Sequence, residues 1–197
     1  MKEAPENSLE AFRNALAKGV RALESDVWLD DTGAPVLHHD AAHLADLSLA
    51  DLFRECGTDF DLSLDLKSPG AAEATLVVAR EAGFDLLRLW LCGGRGSCAG
   101  WRALDPQVKL VTDLRWRDAL FAAPSALAQI AGQGIDAVNL RHLRWRKGLV
   151  RHAHDAGLLA FAWDVQQRWV LRWVLRCGVD GVFSDHPRLL VDPLGQK

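Results

Sequence analysis

At 197 residues, 49% apolar and 25% charged, the chain has the composition of one ordinary globular domain and asks for no second core. Its formal charge of −3 argues against a general polyanion binder and for small partners. The first twenty residues hold no signal-peptide core and no apolar run nears the roughly 18 residues that cross a bilayer, so a cytoplasmic address is expected.

In chain order, helical periodicity and short β-rich runs take turns. "NSLEAFRNALAKG" (7–19) has a capping box, Asn7 or Ser8 followed by Glu10, apolar positions at Leu9, Phe12, Ala15 and Leu16, and a glycine stop. "VRALESDVWL" reads as a strand and "DDTGAPVLHHD" as a turn around Asp31-Thr32-Gly33 into a second short strand, which makes a hairpin. A helix is expected near 48–55, a strand over "FDLSLDLK" (60–67), a helix over "AAEATLVVAREAG" (71–83), then strands over "LLRLWLCGG" (86–94) and "KLVTDL" (109–114). Helices near 118–131 and 147–156 flank the strand "DAVNLR" (136–141), and "LAFAWDV" (159–165), a helix at 166–176 and "DGVFSD" (180–185) complete the series.

Strands followed by helices, repeatedly, predict parallel strands with crossover helices, an α/β chain of the (β/α)8 or doubly wound kind. No GxGxxG or GxxxxGK[ST] follows the first strand, which disfavours a nucleotide-binding open sheet. With the hairpin strand set aside, the strands begin near 21, 60, 87, 109, 136, 159 and 181, one short of a closed barrel. The helix at 7–18 has no strand ahead of it. The four cysteines, Cys56, Cys92, Cys98 and Cys177, form no CxxC pair or zinc-finger spacing and read as reduced and structural.

Residues two apart on a strand share a face, so Glu24 and Asp26 point one way, as do Asp65 and Lys67. At the C-terminal ends of barrel strands these side chains converge on one mouth. Three carboxylates suit Mg²⁺ or Ca²⁺, and a lysine beside them suits a phosphate. An isolated Glu-x-Asp is more often a solvated or ion-paired strand end, and pattern alone leaves both readings open. His39 closes the hairpin with Asp40 beside it, and could act as a general acid or base near neutral pH or be a plain surface histidine. His38 alternates to the opposite face.

Together these segments resemble the glycerophosphodiester phosphodiesterase family. The resemblance runs through "PENSLEAF" at 5–12, "ALESDVWLDDTGAPVLHHD" at 22–40, "LSLDLK" at 62–67, "FAWDVQ" at 161–166 and "GVDGVFSDHP" at 178–187. It implies one phosphodiesterase-type TIM barrel over 1–197, with Glu24 and Asp26 as ligands of a divalent cation, Mg or Ca. By the same resemblance His39 is one of two catalytic histidines, Asp65 takes a metal position usually held by Glu, and Lys67 contacts the phosphate. Asp65 is one methylene shorter than Glu, which would put a water between it and the ion. Trp163 matches the tryptophan that walls the alcohol pocket, and a buried strand tryptophan is an equal reading. The implied reaction releases glycerol 3-phosphate and an alcohol from a small phosphodiester.

The departures from the family set further expectations. Its members carry His-Arg-Gly at the end of the first barrel strand, just ahead of Pro-Glu-Asn, and these residues begin after it. Feeble turnover is therefore expected of this chain, since His43, His142, His152, His154 and His186 do not obviously replace the other histidine. Two open sheet edges are expected as well, pointing to a longer native chain, a decayed relative or an oligomer that covers the gap. Only 25 residues separate His39 from Asp65, too few for the inserted subdomain many members carry, which loosens the expectation of a glycerol-containing substrate. Two rival readings stand beside the enzyme. One is a remnant that binds phosphate esters or metal without turnover. The other is a membrane-surface or interaction protein using "QQRWVLRWVLR", where Arg168, Arg172 and Arg176 recur beside Trp169 and Trp173. The plainer expectation for that helix is an Arg stripe facing water with its Trp and Val face packed on the sheet.

Overall fold

The computed structural model describes residues 4–5, 7–39, 47–114 and 124–192. The chain divides into two compact units, Met1–Gly93 with Leu104–Lys109, and Gly94–Ala103 with Leu110–Lys197.

The first unit opens with α1 (Leu9–Ala17), whose Ser8 hydroxyl accepts a hydrogen bond from the Ala11 amide at 3.2 Å. Ser8 is thus the cap, and Asn7 is freed for a left-handed turn with φ of 53°. β1 (Ala22–Leu29) pairs antiparallel with β2 (Pro35–Leu37) and parallel with β3 (Asp61–Leu66), which pairs parallel with β4 (Leu89–Gly93). The expected hairpin is present. Its turn closes because the Asp30 carboxylate accepts from the Thr32 hydroxyl and from the amides of Thr32 and Ala34, which also holds its pKa below the ordinary carboxylate value. Gly33 supplies the positive φ, 82°, that the turn needs.

α2 (Leu49–Cys56) and α3 (Ala71–Glu81) cover this sheet over a core of Val27, Leu49, Leu62, Leu64, Ala79, Leu89 and Leu91, each without solvent exposure. Each buried leucine of this kind contributes about 1.5–3 kcal/mol before entropy is subtracted. The strand expected over 86–94 begins later, because the Asp85 carboxylate accepts from the Leu87 amide at 3.0 Å and winds Leu86–Arg88 into a 3₁₀ turn.

The second unit adds α4 (Arg95–Trp101), a helix that its two glycines hide from sequence reading; buried Cys98 anchors it by donating to the Val111 carbonyl at 3.2 Å. Then come β5 (Lys109–Asp113), α5 (Pro124–Ala131), β6 (Ala137–Arg141), α6 (Lys147–Asp155), β7 (Leu159–Trp163), α7 (Arg168–Cys177), β8 (Gly181–Val182) and α8 (Pro187–Val191). The first part of the helix expected at 118–131 lies outside the described residues. β5 to β8 pair parallel, each with its successor. Trp145 is wholly buried, with its indole N–H donating to the Phe161 carbonyl at 2.8 Å.

α7 departs from expectation. Val170, Leu171, Val174 and Cys177 form its buried stripe, but Trp169 and Trp173 do not pack beneath it: they are 62% and 49% exposed. The i, i+1, i+4 and i+7 spacing from Val170 already fills the inward arc, and the two indoles fall about 100° away from it.

The fold class is α/β, built on βα repeats. Among the described residues no strand precedes α1, so β1 and β3–β8 make seven strands of the eight in a (β/α)8 barrel. Among the described residues no helix is long and apolar enough to cross a membrane.

Candidate active site

The site is assembled at the C-terminal ends of β1 and β3. The parallel register sets Asp26 opposite Asp65 and Glu24 opposite Ser63, so the carboxylates alternate with inward residues such as wholly buried Ser25. The Ser25 hydroxyl donates to the Asn7 side-chain oxygen at 2.8 Å, tying the segment before α1 to the strand that carries both acids. Sequence reading offered Asn7 only as a helix cap and did not single out Ser25. A small polar residue at an inward strand position was the available signal.

Lys67 follows β3, its amide donating to the Val27 carbonyl at 2.9 Å, which fixes its backbone to β1. Its ammonium donates to Asp26 Oδ1 at 2.9 Å and also to Asp65 Oδ2. Burial alone would depress the lysine pKa, but the hydrogen bonds and charges of Asp65 and Asp26 outweigh it and hold the ammonium well above its ordinary value. An ammonium has three N–H donors, so these two contacts leave it one for a further acceptor.

On the other side of β1, the β2 pairing extends past the strand: the His38 amide donates to the Asp26 carbonyl at 3.2 Å. His39 then reaches Asp26 from outside, with Nδ1 at 3.1 Å from Oδ2. That contact favours the tautomer with the proton on Nδ1, and leaves Nε2 as the basic nitrogen on a ring 68% exposed. Asp26, only 14% exposed, therefore sits between an ammonium and an imidazole.

The structure thus brings Asp26, His39, Asp65 and Lys67 together. Glu24 lies on the same exposed face of β1, two residues before Asp26. Among the described residues no group of three His, Cys, Asp or Glu is disposed as a ready metal cage. The chemistry of the donors nevertheless fits a hard divalent cation, since Asp26 and Asp65 already converge on one positive charge and offer only oxygen. Asp40 and His43 lie outside the described residues.

Trp163 belongs to the second unit, where it ends β7 and is 41% exposed, which removes the buried-core reading. The Arg141 guanidinium lies 5.9 Å from its ring centroid and pairs with Asp164 at 2.7 Å. Asp164 has φ of 61°, and with Asn7 makes the two non-glycine residues of positive φ among those described. Sequence reading missed Arg141 and Asp164; their signal was their place at the ends of β6 and β7. His154, expected on a solvated face, pairs with Asp180 at 2.8 Å, and His142 is buried. All four cysteines are free.

A family model described as the glycerophosphoryl diester phosphodiesterase family matches residues 1–66 and 96–189. The match includes Glu24, Asp26, His39, Asp65 and Trp163, and stops one residue before Lys67. No curated protein sequence matches the chain. Among solved structures, an Oleispira antarctica phosphodiesterase in complex with the product sn-glycerol-3-phosphate is 17% identical, with a TM-score of 0.82 over 98% of this chain and 92% of that one. A glycerophosphodiester phosphodiesterase from Parabacteroides distasonis is 16% identical, with a TM-score of 0.79 over 100% and 94% of the two chains. One from Thermotoga maritima is 18% identical, with a TM-score of 0.76 over 96% and 92%.

Proposed function

The chain belongs to the glycerophosphoryl diester phosphodiesterase family, and we propose that it is a metal-dependent hydrolase that releases glycerol 3-phosphate and an alcohol from glycerophosphodiesters. The observation that carries this reading is the cluster of Lys67, Asp26, Asp65 and His39. A phosphodiester is an anion, and a lysine ammonium held in place by two carboxylates keeps a donor directed at a phosphoryl oxygen.

Glu24, Asp26 and Asp65 would hold the divalent cation, Mg²⁺ or Ca²⁺, which when bound polarises the phosphoryl group and offsets its charge. His39 takes the proton of the nucleophile at Nε2, and Asp26 stabilises the imidazolium that results through its contact with Nδ1. The nucleophile is water or a neighbouring hydroxyl of the substrate. Lys67 would position the phosphate, and by the family resemblance Trp163 is the residue that would wall the alcohol. A second acid must protonate the leaving alcohol. A strand ending in His-Arg-Gly would supply it, and we infer that these 197 residues alone turn over feebly for want of it. The whole chain is read as one domain with a small-molecule substrate drawn from lipid metabolism in the cytoplasm, and an oligomer could cover its open sheet edges.

The test is release of glycerol 3-phosphate from glycerophosphodiesters by this chain and by a version with such a strand restored, each with and without a chelator. Activity in the restored version, lost on chelation and on His39→Ala, is the expected result. Silence in both, with both folded, would overturn the hydrolase reading in favour of a remnant that binds phosphate esters or metal.

A further inference from the structure

The outer face of α7 has no role in phosphodiester chemistry, and its composition is unusual for a solvated helix. At about 100° per residue, Leu175, Arg168, Arg172, Arg176, Trp169 and Trp173 follow one another around one continuous exposed arc. The three arginines occupy its middle and the two indoles one flank. Trp169 is 62% exposed, Trp173 49% and Leu175 50%, and none lies beneath another described element. Arg168 donates to the Asp192 carbonyl at 2.7 Å, which orders one end of the stripe while leaving most of its five donors. Neighbouring α6 packs on α7 and adds exposed Lys147 and Arg151, with Arg146 at its cap. Residues 141–178 carry eight Arg and Lys against two Asp, +6 within a chain of −3.

We propose that this face of α7 is a docking surface for an anionic phospholipid bilayer. The charge of the stripe complements acidic headgroups, and arginine pairs with phosphate through two parallel N–H donors. Indole rings, apolar in body with one N–H, partition to the headgroup level of a bilayer, where Trp169 and Trp173 would insert beside Leu175. A second copy of the chain is the weaker occupant: α7 is 10 residues long, about 15 Å, and such a face falls short of the roughly 800 Å² per partner of a standard interface. Three like charges per copy would also oppose self-association. The attachment proposed is peripheral, made by side chains on the outer face of one short amphipathic helix. It stands whether or not the hydrolase reading does, since none of these residues lies at β1, β2 or β3.

Co-sedimentation of the full chain with vesicles of equal parts phosphatidylcholine and phosphatidylglycerol, beside vesicles of phosphatidylcholine alone, tests it. Binding to the mixed vesicles alone, weakened by raised ionic strength, is expected. The triple variant Arg168→Gln, Arg172→Gln, Arg176→Gln should lower the partition coefficient on the order of a hundredfold, given what each basic residue contributes at an acidic surface. Trp169→Ala with Trp173→Ala should reduce it further than raised salt does. Circular dichroism confirms that each variant folds, and Arg172→Gln alone, at an exposed position, serves if the multiple variants do not. Equal binding to both vesicles, unchanged binding by a folded arginine variant, or no binding by the folded chain would each overturn the proposal. A dimer in light scattering that dissociates on Trp169→Ala with Trp173→Ala, without vesicle binding, would assign the face to a second copy instead.

Discussion

The unit of Met1–Gly93 and Leu104–Lys109 carries nine Lys and Arg against eighteen Asp and Glu, and the other unit carries fourteen against eight, a formal −9 beside +6. Both are built from the same strand-and-helix repeat. In the acidic unit several of the cations are consumed locally: Lys67 by Asp26 and Asp65, Arg88 by Asp59, Arg13 by Glu55 and Arg80 by Asp105. In the basic unit Arg168, Arg172 and Arg176 stand together on α7, with no acidic residue on that helix. The overall charge of −3, which argues against a general polyanion binder, is the sum over two units of which one is strongly cationic. Net charge excludes a partner only when it is taken over a surface that the partner can touch.

If the acidic unit holds the chemistry, His39→Ala in the strand-restored version should lower turnover by about 10²–10⁴-fold. The melting temperature should hardly move, because this exposed ring carries no core contact. The basic unit should give the opposite profile. Trp145→Ala removes a wholly buried indole and its bond to Phe161, and should cost about 3–5 kcal/mol in urea unfolding. A His39 variant that unfolds, or a Trp145 variant that keeps full stability, would break the division of labour.

Gly181→Ala sharpens the second half of the comparison. A methyl there would meet the Phe161 ring at 2.8 Å, and destabilisation of about 1–3 kcal/mol is expected where Phe161 has to shift. In the first unit, Lys67→Met leaves Asp26 and Asp65 facing each other without their cation. Because the lysine is 31% exposed, solvent already screens the pair and the loss should be about 1 kcal/mol. Added Ca²⁺ or Mg²⁺ should then raise the variant's melting temperature more than the wild type's, since the metal no longer competes with the ammonium. No difference in that response would remove the carboxylates from the proposed metal site.

The smallest effect concerns Asp105. Burial alone would raise its pKa, but hydrogen bonds from Arg80 and the Gln107 amide hold it below the ordinary 3.8. A lowered folded value contributes stability above 3.8 that is lost as pH falls through that folded value. Asp105→Asn should therefore flatten the acid limb of a stability–pH curve below about pH 4 and leave the neutral range little changed. An unaltered acid limb would place the sensitivity in other carboxylates.

Most of the fold was legible because its signals are local. Alternation in "LESDV" and "LSLDL", the cap offered by Asn7 or Ser8, and the turn around Asp31-Thr32-Gly33 are each decided within a few residues. What failed to show were features decided across the fold. α4 forms despite Gly96 and Gly100 because Cys98 is buried against β5. The outward indoles of α7 follow from which side the sheet lies on, which an amphipathic pattern crowded with Trp, Val and Leu does not fix. At the site, the placement of Glu24 and Asp26 on one face came from strand periodicity. The bridging of Asp26 and Asp65 by one ammonium came from a register, Asp26 opposite Asp65, that only the paired strands define.

The same pairing bears on how the molecule is made. Within each unit the parallel strands add in order of synthesis, β1 to β3 to β4 and β5 to β6 to β7 to β8, so no strand waits for a distant partner. Each pairing nevertheless spans a βα crossover, as Ala22 with Asp61, so it closes a longer loop than a hairpin does and forms more slowly. A chain leaving the ribosome at about 5–20 residues per second emerges slowly enough for each new βα hairpin to dock on the one already in place. The bond between Asn7 and Ser25 is likewise made within one such unit, and it anchors the segment that carries Glu24 and Asp26 to the residues just before α1.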